Sequence, residues 1–238
     1  MSFEVAFHHA VEHGVISGIT LPDSPEPVPN EVLDQLHPVE RAYASHLTGY
    51  RQVSFTGGRL AARAAASQLG HLLPPVLPDD RGTPVWPRGV TGSISHKRRL
   101  AVCLLARDRG QRLGVDLEEY EPMRSSIEPK VLTDEELADI AKLTGERRWI
   151  ATLQRFSIKE AIYKAVDPHV RRYVGFKEAM VRPDRRGSAY VRLDLRHGEG
   201  PFRAEANYTW LHGYLLATVS LRPGRPLPPP DPQGVDAD

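Results

Sequence analysis

Two spacings of apolar residues run along this chain, and where one gives way to the other predicts the layout. At 191–195, Val191, Leu193 and Leu195 alternate with Arg192 and Asp194. At 202–208, Phe202, Ala204, Ala206 and Tyr208 alternate with Arg203, Glu205 and Asn207. With GYLLATVSL at 213–221 these stretches predict an antiparallel meander, because successive strand side chains point to opposite faces. GSISH at 92–96, LAVCLLA at 100–106 and QRLGVDLE at 111–118 also read as strands, and residues 3–7 as a short one. Elsewhere the spacing is helical. Residues 53–69 end in LAARAAASQL, rich in the best helix former, and Gly70 suits the terminus. Pro38 stands where a first helical turn accepts proline, ahead of VERAYASHL. Thr133 and Glu136 make a capping box opening TDEELADIAKL. A longer helix is expected from about 147 to 166, stopped by Asp167–Pro168. Prolines 22, 25, 27 and 29, and the run PPVLPDDRGTPVWPRG at 74–89, predict loops.

Helices followed by strands occur twice, which predicts an α+β fold with antiparallel sheets and packed helices. The expected division is an N-terminal α+β half at 1–117, a C-terminal α+β half at 118–221 and a tail at 222–238. No residue-level repeat relates the halves. The tail, RPGRPLPPPDPQGVDAD, has too little apolar surface to offset its ordering entropy and is expected to be disordered.

Composition narrows the function classes. In 238 residues, 40% are hydrophobic and 26% charged, the balance of a folded chain. The net charge of +1 provides no global basic field, and aromatics do not interleave with basic residues, so a nucleic-acid partner is not expected. One cysteine excludes an internal disulfide and a Cys-based zinc cluster. No apolar run reaches the roughly 18 residues that span a bilayer. The start, MSFEVAFHHAVEHG, lacks a secretory pattern. A soluble cytoplasmic protein without a membrane partner is the expectation.

Four places could carry chemistry. On the strand LGVDLE, Leu113, Val115 and Leu117 face one side, toward the core, while Asp116 and Glu118 share the other. Two carboxylates that close repel unless a cation sits between them, and magnesium takes hard oxygen ligands; a solvated acidic face is the alternative. In RWIATLQRFSIKEAIYKAV, Trp149, Leu153, Phe156, Glu160 and Tyr163 lie on one helical face. An acid in that stripe needs a cation or a good partner, and Lys164 is one turn on. In GSISH, Ser93 and Ser95 share a strand face and His96 lies on the other, all able to donate to phosphate oxygens. Arg51, Arg59, Arg63 and Arg81 could clamp phosphates, with Gly57–Gly58 permitting close approach. Surface arginines and a structural histidine are the plain alternatives. The composite is a phosphoryl-group or pyrophosphate-handling enzyme. Cys103, inside LAVCLLA, reads as inert packing. His8, His9 and His13 lack a third ligand cluster, and Trp86, Trp149 and Trp210 read as core or interface.

GVDLE at 114–118, followed by FSIKEAIYKA at 156–165, resembles the signature pair of the 4′-phosphopantetheinyl transferases. The stretch RGTPVWPRGVTGSISHKRRLAVCLLA at 81–106, together with YRQVSFTGGRLAARAAASQLG at 50–70, is similar to the enterobactin synthase component D subgroup of the surfactin-type superfamily. The resemblance implies two similar, pseudo-twofold halves in a monomer, with the active site at their junction. It implies transfer of the phosphopantetheine arm of coenzyme A to a serine of an apo carrier protein, releasing 3′,5′-ADP. The carrier would belong to a polyketide, nonribosomal peptide, siderophore or fatty-acid synthase. Carried over, Asp116, Glu118 and Glu160 would ligate magnesium, or manganese. Arg51, Arg59, Arg81, Ser95 and His96 would hold coenzyme A. Lys164 would neutralise its diphosphate or protonate the leaving oxygen, and Glu160 or Glu118 would be the base. The departure is Thr83, where many members have lysine in Gly-Lys-Pro; Arg81 is near enough to compensate. The segment 120–131, with Met123, Arg124 and Lys130, is the first candidate for carrier docking, and Arg171 with Arg172 the second. The competing functions are a non-catalytic coenzyme A or carrier-binding protein and a magnesium-dependent nucleotide pyrophosphohydrolase.

Overall fold

The computed structural model describes residues 3–120 and 127–229. The first half comprises β1 (Val5–Val11), β2 (Gly14–Thr20), α1 (Asn30–Leu33), α2 (Pro38–Ala44), α3 (Gly49–Gln68), β3 (Val90–His96) and β4 (Leu100–Arg107). The second comprises β5 (Arg112–Glu119), α4 (Glu128–Val131), α5 (Asp134–Asp139), α6 (Gly145–Val170), β6 (Ala179–Pro183), β7 (Ser188–Leu193), β8 (Phe202–Leu211) and β9 (Tyr214–Pro223). Two antiparallel sheets result, ordered β1-β2-β4-β3 and β5-β9-β8-β7-β6. In each half a strand leads into a long helix and pairs with that half's last strand: β2 with β4, and β5 with β9. The α+β reading with two similar halves therefore describes the chain.

The boundary between the halves differs from the expected one. All of β5 pairs with β9 and belongs to the second sheet, so the chain passes between sheets at 108–111 rather than near 117. The turn there is local chemistry: Gly110 takes a left-handed φ of 85°, its N–H donates to Asp108, and Gln111 accepts from the Arg109 N–H. At the other end, Arg222 and Pro223, expected in the tail, extend β9 and lie opposite Arg203 and Phe202. Residues 230–238 of the expected tail lie outside the described residues.

Both predicted helix starts are present, and each glutamate does more than cap. His37 and Glu40 cap α2, which begins on Pro38, and buried Glu40 also accepts from the Val76 N–H and from Arg63. Thr133 and Glu136 cap α5, and Glu136 accepts from Lys159 Nζ (2.6 Å) and the Val181 N–H (2.7 Å). Helix α6 runs past its expected stop, through Pro168 to Val170. The proline removes one donor, but the Arg171 N–H still donates to the Asp167 carbonyl (2.8 Å), and Arg171 ends the helix at φ 47°. Strand β2 shows no period-two pattern because, between β1 and β4, it is buried on both faces.

Strand β5 is likewise covered on both sides. Leu113, Val115 and Leu117 pack with Phe7, Ile16, Leu100, Val102 and Leu104 between the two halves. The other face meets α6 at Gly114, where an added Cβ would stand 1.8 Å from the Ala161 carbonyl oxygen. Substituting Gly114→Ala must push β5 and α6 apart. The expected result is a loss of about 3 kcal/mol of stability, read as a lower urea midpoint.

Candidate active site

The contact at Gly114 fixes how far β5 stands from α6, and with it the reach of the polar side chains further along both elements. Asp116 and Glu118 continue along β5 on the α6 side, while Glu160 and Lys164 come from successive turns of α6. The edge strand β3 lies alongside β5 and brings in Ser95 and His96. Lys164 Nζ donates to Asp116 Oδ1 (2.9 Å), to the Val115 carbonyl (2.8 Å) and to Ser95 Oγ (3.0 Å). Ser95 Oγ donates in turn to Asp116 Oδ1 (3.2 Å), and Ser157 Oγ to Asp116 Oδ2 (3.0 Å). Asp116 is buried, with both oxygens satisfied. Glu118 pairs with Lys97 (2.6 Å).

The acids feel one another. Burial and the charge of Asp116 raise the Glu118 carboxyl to about 7, against the pull of Lys97. Burial and Asp116 also raise Glu160, against Lys164 and Lys97. Desolvation, with Lys164 and Lys97 adding positive charge, pushes the His96 imidazole below its ordinary value. As the side chains lie, lysines are the counter-charges. Among the described residues, no three His, Cys, Asp or Glu side chains are gathered into a group that could hold a metal ion.

Three hollows are each bordered by residues of this cluster. The largest, about 520 Å³, is bordered by Tyr50, Arg51, Ser54, His96, Lys97 and Arg98. A second, about 220 Å³, lies between the 81–84 loop, Trp86, β3 and the Tyr163–Lys164 turn of α6. A third, about 160 Å³, is bordered by Glu160, Tyr163, Tyr173, Val174 and Phe176.

Most of the sequence-selected residues converge here: Arg51, Arg81, Ser95, His96, Asp116, Glu118, Glu160 and Lys164. Arg59 does not. It is buried, donates Nε to the Val76 carbonyl (2.6 Å) and lies over the Phe55 ring, so it ties α3 to the following loop rather than facing a phosphate. Arg63 is paired to Glu40. Ser95 is buried, engaged by Asp116 and Lys164. Arg81 borders the second hollow but pairs with Asp167 (2.6 Å), which also accepts from Thr83 Oγ1 (3.0 Å) at the position of the missing lysine. Of the docking candidates, Met123 and Arg124 lie outside the described residues. Arg172 is held by Glu178 and Glu199 and is no free cation. His8 and His9 lie on β1, where His8 bonds Ser17. Cys103 is buried, as expected, and burial pushes its thiol up. Trp210, read as core or interface, is half-exposed and packs against Tyr120. Three residues escaped the sequence reading: Ser157, Asp167 and Lys97. Only the last left a signal, a cation following His96 directly.

Comparison with known proteins matches the same two parts. Residues 39–106 match the 4′-phosphopantetheinyl transferase N-terminal domain, and residues 112–219 match the 4′-phosphopantetheinyl transferase superfamily. The chain belongs to the 4′-phosphopantetheinyl transferase superfamily. It is 35% identical over 156 residues to the 4′-phosphopantetheinyl transferase Npt of Nocardia iowensis, a match covering 61% of this chain and 65% of that protein. It is 32% identical over 160 residues to Svp of Streptomyces mobaraensis (66% and 64%). It is 32% identical over 133 residues to enterobactin synthase component D of Salmonella typhi (55% and 54%). The chain thus spans less than two thirds of the length of the curated relatives it matches. Among solved structures it resembles a holo-(acyl-carrier-protein) synthase of Bacillus anthracis in complex with CoA (3′,5′-ADP). That likeness has a TM-score of 0.39 and 23% identity, and covers 47% of this chain and 96% of that one. The superfamily match begins at Arg112, where β5 begins, and carries Asp116, Glu118, Glu160 and Lys164.

A raised carboxyl pKa makes folding depend on pH in a definite sense. Glu118 binds its proton more tightly folded, at about 7, than unfolded, near the ordinary 4.5. Its contribution to stability is therefore fully present below pH 4.5 and lost as pH rises through 7. In metal-free buffer, Glu118→Gln should gain stability relative to wild type between pH 5 and pH 8, measured by urea unfolding at both values. A constant difference would mean that Glu118 is not so shifted.

Proposed function

We propose that this protein transfers the 4′-phosphopantetheine arm of coenzyme A to a serine hydroxyl of an apo carrier protein, releasing 3′,5′-ADP. The observation that carries the reading is that Asp116, held by Lys164, raises the proton affinity of both Glu118 and Glu160 beside the Arg51–His96 cavity. The donor set fits a hard divalent cation, magnesium or manganese. It offers oxygens only, and burial and mutual repulsion raise the pKa of two of the three acids, a cost that a cation relieves. Asp116, Glu118 and Glu160 would hold it, and when bound it supplies positive charge to the diphosphate oxygens.

The rest of the work falls to the chain's own groups. Arg51 and His96 bind the phosphates at the nucleotide end. Arg81, anchored by Asp167, borders the hollow beside them. Lys164 is fixed by three acceptors, so its ammonium is already in place for charge that develops on the leaving oxygen. The serine oxygen forms a bond to the phosphorus that carries pantetheine. The anhydride P–O bond breaks, and 3′,5′-ADP leaves with the electron pair. Glu160 lines the third hollow, and its raised pKa suits it to take the serine proton. A carboxylate has two oxygens, so holding a cation leaves one for that proton. Both halves lie in one chain and complete the cleft together, so we propose a monomer. The acceptor would be a carrier domain of a polyketide, nonribosomal peptide, siderophore or fatty-acid synthase.

Intact-protein mass spectrometry of an apo carrier incubated with coenzyme A and magnesium tests the reading. One phosphopantetheine gained on serine is expected. Release of 3′,5′-ADP without a modified carrier would instead indicate a pyrophosphohydrolase. Asp116→Ala should lower transfer by about a thousandfold and Lys164→Ala by about a hundredfold, with far-ultraviolet dichroism unchanged. Normal turnover by Asp116→Ala would remove its role.

A further inference from the structure

Lys97 stands between two parts of the site. It follows His96 directly, at the start of the turn joining β3 to β4, where its N–H donates to the Leu100 carbonyl (2.8 Å). Its ammonium reaches Glu118 Oε2 at 2.6 Å, while the same side chain borders the cavity of Arg51 and His96. Lys164 differs, since three acceptors hold it in place. The Lys97 side chain is about one-third exposed and sits on a flexible four-carbon stem.

From this placement we infer that Lys97 is a built-in counter-cation: it neutralises Glu118 until a divalent cation takes that carboxylate, and then turns its charge into the adjoining phosphate cavity. The inference rests on the cation site proposed above. Two cations on one carboxylate repel each other, so metal entry loosens the Lys97–Glu118 pair. The freed ammonium then adds to the positive charge facing an incoming anion. Metal and nucleotide therefore strengthen each other's binding through Lys97, by the same factor in either order.

Calorimetric titration of the full chain with manganese alone tests the first half of this. Lys97→Met should bind manganese about three- to tenfold more tightly than wild type. Lys97→Arg, which keeps the charge, should stay near wild type. Arg99→Met removes an equal charge from the same turn, but from a side chain paired with Asp23, and should change affinity by less than about twofold. Titration with 3′,5′-ADP tests the second half: manganese should tighten its binding to wild type, and Lys97→Met should lose most of that enhancement. The inference is overturned if Lys97→Met binds manganese no more tightly than wild type. It is equally overturned if Arg99→Met tightens binding as much, or if the enhancement survives in Lys97→Met. The carrier-modification assay on wild-type protein reads the proposed activity separately, so failure of one is not failure of the other.

Discussion

The backbone of β5 lies almost against the backbone of α6, and the site is a consequence of that approach. A strand and a helix normally stand apart by the thickness of their side chains. Here Gly114 has none, and the Ala161 carbonyl fills the place of its Cβ. Two residues further along the strand, Asp116 is then within hydrogen-bond reach of Lys164, one helical turn beyond Glu160. The strand and the helix that carry these groups pack directly on each other. The packing that makes the second half a folded unit also places the acids and the lysine.

Such a cluster is costly to bury, and the surrounding chemistry explains how it is tolerated. Asp116 is satisfied by Lys164, Ser95 and Ser157, which come from both halves. Glu118 is met by Lys97. What remains is burial, with the charge of Asp116 added to it, and together they raise the proton affinity of Glu118 and Glu160. The Lys159–Glu136 pair beside it is a contrast. It is more deeply buried, and it is spent on holding α5 and β6 to α6.

Much of this could be read from the residues alone, and the exceptions have physical causes. The acids of GVDLE and the Glu160–Lys164 pair announce themselves because a strand and a helix fix which side chains share a face. The first-turn proline at Pro38 and the capping box at Thr133 are local and keep their meaning in the fold. Arg59 misled because its spacing with Arg63 marks a common helical face without saying whether that face meets solvent or core. Asp167 reads as part of a helix stop, since the carboxylate's partners, Arg81 and Thr83, are more than eighty residues away. Strand β2 was illegible for the opposite reason: covered on both faces, it has no alternation to read. The boundary at 108–111 was missed because it depends on which strand β5 joins, a long-range fact.

The Asp167 carboxylate also acts across the whole molecule. It belongs to the last turns of α6, yet it grips a loop of the other half through Arg81 and Thr83, while Lys164, three residues earlier, grips Ser95 of β3. Four consecutive positions of one helix thus rivet the two halves together at two points. The two halves cannot gape like a hinged jaw there without breaking both, so this one helix sets how far they can part.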